Sequence, residues 1–246
     1  RWPGVTRPNR RSQALVSTID LLPTFLDAAG IEAQVGLPGQ TLRSVLQENP
    51  QERFRNYLVC ERNCDAARHT FPQRTLRDSR YKLIYSPVRD REDPAARYYR
   101  DHGAGHWTGC LSEEELAGAT NETKQGYERW LHPPEYQLYD LWNDPYEWND
   151  LSGDKDFAVI MNRLQDSLRE WEKKTGDPLA DPKKLRLLMQ ENDEVVKNRL
   201  RSPAEGWRYL SYLAPTQQSI FPGDQPPVEG DFQNGHPGND VRSLVK

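Results

Sequence analysis

Residues Tyr136–Leu151 read YQLYDLWNDPYEWNDL, and this stretch decides the fold. Apolar Tyr136, Leu138 and Leu141 are interspersed with Gln137 and Asp140, which are expected to point elsewhere, as in a half-buried strand. Asp144-Pro145 then supplies a turn initiator and a fixed φ, so the strand stops there. Beyond the corner, Asp154–Thr175 carries Phe157, Ile160, Met161, Leu164, Leu168 and Trp171 as one apolar stripe at helical spacing, and Gly176-Asp177-Pro178 ends it. Taken by themselves, these residues read as the end of a sheet, a corner and the start of a helix.

Upstream, Asn56–Glu61, Arg74–Arg77 and Arg80–Ser86 read as short strands, the last two joined at a turn by Asp78-Ser79. Leu15–Ala29 reads as a helix with Ile19, Leu22, Leu26 and Ala29 on one face. A proline inside a helix costs about 3 kcal/mol. The helix therefore begins near Thr18 or Asp20, which puts Pro23 in the first turn, and Gly30 terminates it. Thr41–Leu46 adds a helical turn before Pro50. Arg89–His132 is charged and irregular, with aromatics at Tyr98, Tyr99, Trp107, Tyr127 and Trp130, and reads as an insertion carrying a helix or two, one near Ser112–Ala117. Asp181-Pro182 opens a further helix to about Leu200, and from Pro215 the chain is a Pro-, Gly- and Asn-rich tail lying over the surface or disordered.

Composition narrows the function classes. The 246 residues are 35% hydrophobic with 16 glycines, enough for a core but with part of the chain unpacked. A net charge of −4 leaves no basic footprint, so no nucleic-acid partner is expected, and no apolar run is long enough to span a membrane. Cys60-x3-Cys64 lacks a second pair, which argues against a structural zinc site, and Cys110 is left over. Asn121-Glu122-Thr123 fits a glycosylation acceptor, meaningful only in a secreted protein. The first residue is Arg with no apolar leader after it, so the chain is read as a piece of a longer protein.

Four segments, in order, resemble the sulfatase family. Arg1-Trp2-Pro3-Gly4 is similar to its RxPG loop, and Val16–Gly30, VSTIDLLPTFLDAAG, to its VxxxDLxPTxLxxAG helix. Arg74–Ile84, RTLRDSRYKLI, resembles the hairpin RxVRxxxYKLI, and Tyr136–Leu151 resembles ELYDLxxDPxExxNL, with Gln137 in place of an acid and Asp150 interposed before Leu151. The resemblance is nearest to heparan N-sulfatase (sulfamidase)-like enzymes, through Arg68-His69 to Pro72 and the ending Leu168–Pro178.

The resemblance implies an α/β fold: the C-terminal portion of an alkaline-phosphatase-like enzyme, with a small antiparallel sheet packed by a C-terminal helix. Residues 1–50 would end the catalytic domain. Residues 51–180 would form the sheet subdomain with its insertion at 89–132, and 181–246 a helix and irregular tail. Family members hydrolyse sulfate esters or N-sulfates of sulfated sugars with a formylglycine made from Cys-x-Pro-x-Arg and a neighbouring calcium ion. No Cys-x-Pro-x-Arg occurs in this chain, so nucleophile and calcium ligands are expected in a missing N-terminal catalytic domain, and this segment alone is expected to be inactive. A sulfated carbohydrate is the expected substrate, and the family implies a secreted, periplasmic or lysosomal location. The alternatives are a phosphodiesterase or phosphonate hydrolase of the same superfamily, or a non-catalytic carbohydrate-binding or assembly module.

Within this frame the resemblance makes Glu61, Arg62, His69 and Arg74 candidate substrate-binding residues, on the rim that leans over the sulfate pocket in the family. Arg and His hold sulfate or carboxylate through charge-assisted hydrogen bonds. The alternative is that Arg62 and Arg74 pair with local carboxylates and that His69 is a satisfied loop histidine. His102 and His106, with Asp101 and Trp107, suggest a metal site or sugar platform, but Gly103 and Gly105 argue for a solvent-facing loop. The aromatics of 98–130 either stack on sugar rings or anchor the insertion. Asp144 is read as a turn residue and Glu147 as a first-turn charge, not as a glycosidase pair.

Overall fold

The computed structural model describes residues 2–6, 9, 11–47, 54–64, 69–89, 91–102, 110–198, 208 and 212–213, all within one compact unit, Arg1–Thr216. Four short strands form one antiparallel sheet in sequence order: β1 (Leu58–Arg62), β2 (Gln73–Arg77), β3 (Tyr81–Tyr85) and β4 (Tyr136–Asp140). Seven α-helices surround it among the described residues: α1 (Leu21–Ala28), α2 (Arg43–Gln47), α3 (Pro94–His102), α4 (Glu113–Gly118), α5 (Asn121–Leu131), α6 (Ala158–Thr175) and α7 (Pro182–Lys197). The tail from Pro215 lies outside the described residues.

One rung of the sheet sets the core. Register places Val59 opposite Leu76, Leu76 opposite Leu83 and Leu83 opposite Leu138. Leu76, Leu83 and Leu138 are fully buried and pack with Leu164 and Leu168 of α6, flanked by Phe157, Ile160, Met161 and Trp171. Burying a Leu side chain stabilises by roughly 1.5–3 kcal/mol, so this rung is what holds α6 to the sheet. Asp154 caps the single 3₁₀ turn before α6 by accepting from the Asp156 N–H, and Gly176 ends the helix at φ 68°.

The opening helix explains why Asp, Pro and Thr stand where they do. A 3₁₀ turn at Thr18–Asp20 precedes α1, and Pro23 falls in the first α-helical turn, where no intrahelical bond is lost. Asp20 is completely buried and accepts from the Ser17 N–H (2.7 Å), the Gln40 N–H (3.0 Å) and Arg55 Nη2 (2.6 Å). The Thr24 hydroxyl donates to the Asp20 carbonyl and accepts the Leu42 N–H. The helix closes with Ile31 N–H on the Leu26 carbonyl and Gly30 N–H on that of Asp27, with Gly30 at φ 70°.

Three readings change. The insertion holds three helices among its described residues, not one or two; α5 is capped by Thr120, whose hydroxyl accepts the Thr123 N–H. Asp140 does not point away from the Leu138 side: the strand period puts Tyr136, Leu138 and Asp140 on one face, and Asp140 is buried with Arg80 bidentate on it (2.6 and 3.1 Å). Glu147 is not a first-turn helix charge. It sits at φ 61°, well before the helix, and both its oxygens accept from Lys82 Nζ at 2.7 Å.

The edge of β4 is closed by its own continuation. The Leu151 N–H donates to the Leu138 carbonyl (2.8 Å), and Asp150 Oδ1 accepts the Leu138 N–H (3.0 Å). Asp150, a departure from the family pattern, therefore satisfies an edge-strand donor. On the other side, α7 seals the loops flanking β2 and β3 through Met189, packed on Phe71 and Val88.

Two stability predictions follow from these contacts. A Cβ at Gly39 would lie 2.0 Å from the Ile19 carbonyl oxygen, whereas one at Gly153 meets nothing within 4 Å. Gly39→Ala is expected to cost about 3 kcal/mol or more and Gly153→Ala nearly nothing, read as midpoints of denaturant unfolding. Hydrogen bonds from Arg80 above all hold the Asp140 carboxyl below its ordinary 3.8. A carboxyl depressed in the folded state stabilises above its unfolded value, and that contribution is lost as pH falls through the folded one. Asp140→Asn should therefore lower the melting temperature at pH 6, and the gap to wild type should close below pH about 3.8.

Candidate functional site

The four rim candidates gather at one end of the β1–β2 pair but face different ways. Glu61 and Arg74 are register partners, as are Arg62 and Gln73, so the two pairs lie on opposite faces of the sheet. Arg74 is buried on the α6 side. Its Nε and Nη2 grip Asp177 at 2.6 and 2.9 Å, and Nη1 donates to Asn63 Oδ1 at 2.8 Å. Glu61, half exposed, stands 3.4 Å from the same guanidinium. Asp177 also accepts the Leu179 N–H, so one carboxylate fixes both the start of β2 and the exit from α6. Glu172 beside it has its carboxyl pushed above the ordinary value by burial and by the neighbouring Asp177 charge.

Arg62 reaches across the second face. Its Nη1 and Nη2 bond Asp93 at 2.6 and 3.0 Å, and Nη1 also donates to Gln73 Oε1. Asp93 is 1% exposed and simultaneously accepts the Ala95 N–H at the start of α3. The bond therefore locks the insertion to the sheet. His69 lies in the β1–β2 connection, buried, with its ring centroid 5.2 Å from that of Tyr98 on α3. The structure thus supplies local or long-range carboxylate partners for both arginines and an aromatic neighbour for the histidine.

His102 is not on a solvent-facing loop but in the last turn of α3, exposed, stacked on Tyr98 with Nδ1 3.0 Å from its carbonyl oxygen. Asp101 pairs with Arg97 and Arg100 on the same helix. His106 and Trp107 lie outside the described residues. Among the described residues, no group of three His, Cys, Asp or Glu side chains is arranged to hold a metal ion.

The second face of the sheet also forms a cleft of about 590 Å³, roofed by Tyr127 and Trp130 of α5 and by Trp148. Sequence reading missed Asp93 and Asp177, although both stand immediately before a proline at a helix entry, where a capping acid is common. It missed the cleft because Thr75 and Ile84 of its floor stand more than 40 residues from the α5 aromatics of its roof.

With this geometry in view, residues 1–92 match the family described as N-sulphoglucosamine sulphohydrolase, C-terminal. The chain is 29% identical over 186 residues to an ulvan-active sulfatase of Formosa agariphila, covering 74% of this chain and 33% of that protein. It is 22% identical over 205 residues to human N-sulphoglucosamine sulphohydrolase, covering 72% of this chain and 38% of the enzyme. A solved 2-O GAG sulfatase is 21% identical, with a TM-score of 0.49 over 71% of this chain and 29% of that one. These matches support reading the chain as a C-terminal sulfatase segment. It spans about a third of the length of the curated relatives it matches.

Removing one partner of a buried ion pair strands the other charge, at about 3–5 kcal/mol. Arg74→Met is expected to lose that much in equilibrium unfolding. Arg74→Met with Asp177→Asn should recover part of it, giving a non-zero coupling in the double-mutant cycle.

Proposed function

We propose that this chain is the C-terminal part of an enzyme that hydrolyses sulfate esters or N-sulfates of sulfated sugars, its formylglycine nucleophile and calcium site residing in sequence outside this chain. The observation that carries the reading is the family match over residues 1–92, which spans three of the four ordered motifs. The absence of Cys-x-Pro-x-Arg from the chain supports a nucleophile in sequence outside it.

The surface of α1 supports a neighbouring catalytic domain as partner. Asp20, Pro23 and Thr24 are buried, yet Ile19, Leu22 and Phe25 stand 46%, 53% and 65% exposed. Apolar side chains clustered on one exposed helix face are a mark of an interface. In this reading the sheet subdomain leans its β1–β2 end toward the sulfate pocket. His69 and Arg62 contribute to the rim, Glu61 lies beside them, and Arg74 with Asp177 holds the rim in position. Calcium would be held by carboxylates of the upstream domain, where it would stabilise charge developing on the sulfuryl oxygens. The substrate is a sulfated carbohydrate and the location secreted, periplasmic or lysosomal. No helix among the described residues is long and apolar enough to cross a membrane.

The test is the full-length protein incubated with N-sulfoglucosamine and with 6-O- and 2-O-sulfated oligosaccharides, with inorganic sulfate measured by ion chromatography. Release of sulfate from at least one, abolished by removing calcium, is expected. Hydrolysis of a phosphonate monoester in place of every sulfated sugar would sink the reading.

A further inference from the structure

The cleft on the second sheet face has the make-up of a sugar site. Its volume of about 590 Å³ falls within the roughly 300–1,000 Å³ of small-molecule pockets. The floor is the mixed rung Thr75–Ile84–Gln137, set by the same register that puts leucines on the other face. The roof comes from the insertion and from the loop after β4: Tyr127 and Trp130 on α5, then Tyr146 and Trp148.

The aromatic walls are held open and in place. The Tyr127 and Trp130 rings meet edge to face, 5.8 Å apart at 86°. The Trp148 ring lies against α5 at Gly126, where a Cβ would come to 3.1 Å from it, so the glycine leaves room for the indole against the helix. The Trp148 carbonyl is pinned by Arg129 Nη2 at 2.5 Å, and the preceding Glu147 by Lys82. Tyr146 is 81% exposed at the mouth. Each ring offers a π-face to an apolar partner.

Polar groups in the cleft are left with bonding capacity. Gln137 accepts from the Tyr139 hydroxyl, which burial pushes up to about 12 and so keeps protonated. The Gln137 amide nitrogen, the Thr75 hydroxyl and the indole N–H groups of Trp130 and Trp148 make no hydrogen bond to described residues. Donors scattered around a CH-binding aromatic wall match a pyranose, whose hydroxyls radiate in several directions while its ring presents C–H faces. A planar base would call for parallel rings to stack between, and the 86° pair does not provide them.

Charge selects among sugars. Arg62 and Lys82 are matched within the cleft by Asp93 and Glu147, whereas Arg129 has no carboxylate partner among the described residues. One guanidinium in excess, beside aromatic rings, favours a carboxylate-bearing ring. We propose that this cleft binds an acidic pyranose unit, a uronate within a glycan chain, through Trp130, Trp148 and Tyr146 with Arg129 on the carboxylate. The choice of an acidic glycan rests partly on the sulfatase reading; the cleft and its sugar chemistry do not.

The experiment uses hyaluronan tetrasaccharide, which carries uronates but no sulfate, so binding is read apart from turnover. The full protein is titrated by tryptophan fluorescence and by calorimetry, with cellotetraose as the neutral control. A saturable response is expected, at least about fivefold weaker for cellotetraose. Trp130→Ala should weaken binding by about tenfold or more, and Tyr146→Ala, at a position too exposed to unfold the protein, by a smaller but measurable factor. Arg129→Met should erase the preference over cellotetraose. No saturation, cellotetraose binding as tightly, or both aromatic variants binding like wild type would overturn the proposal. Sulfate release without hyaluronan binding would leave the sulfatase reading standing and remove this one. Binding without sulfate release would do the reverse.

Discussion

The leucine rung Leu76–Leu83–Leu138, pressed against Leu164 and Leu168, is the constraint on which the rest depends. Because strand side chains alternate, the register that turns these leucines to α6 turns Thr75, Ile84 and Gln137 to the opposite face. A slip of one residue would expose the leucines and fill the cleft with them. Core and cleft are therefore two consequences of one pairing. The helix that covers the first face also ends at Gly176, which delivers Asp177 to Arg74.

Around that sheet, buried carboxylates do the joining. Asp20 ties the turn before α1 to the Gln40 loop and to Arg55, Asp93 ties α3 to Arg62, Asp140 ties the end of β4 to Arg80, and Asp177 ties α6 to β2. Each accepts from an arginine and, in every case, also from at least one backbone N–H. A buried carboxylate without such donors would be costly; with them it converts a floppy connection into a fixed one. This is a fold whose irregular segments are held by ionic hydrogen bonds more than by apolar contact.

The functional consequences divide along the two faces. Arg74 and Glu61 belong to the α6 side and Arg62 to the cleft side, so the rim candidates are not one constellation. The α1 surface, with its exposed Phe25 and Leu22, belongs to a third region that offers apolar area to a neighbour. A chain built this way presents an exposed apolar helix face, the β1–β2 end and a cleft around a core of modest size.

Local pattern was enough for the elements. The strands, the Pro23 placement, the Gly30 and Gly176 stops and the α6 stripe all follow from short-range sterics and period, which act within a few residues. The insertion's third helix escaped because α5 is only 11 residues long and carries a glycine, Gly126, in its interior, where glycine weakens a helical pattern. Asp140 was misplaced for the same kind of reason: a carboxylate is read as solvent-facing until its arginine, 60 residues earlier in the chain, is in view. Sequence by itself determined the sheet, its covering helix and the family resemblance, because those rest on local spacing and on ordered motifs. Only the tertiary structure decided which carboxylate meets which arginine, and that Trp130, Trp148 and Gln137 share one cleft. The ion pairs join residues up to 103 apart in the chain, and the cleft closes only when β2 and β3 are brought under α5, which no local spacing encodes.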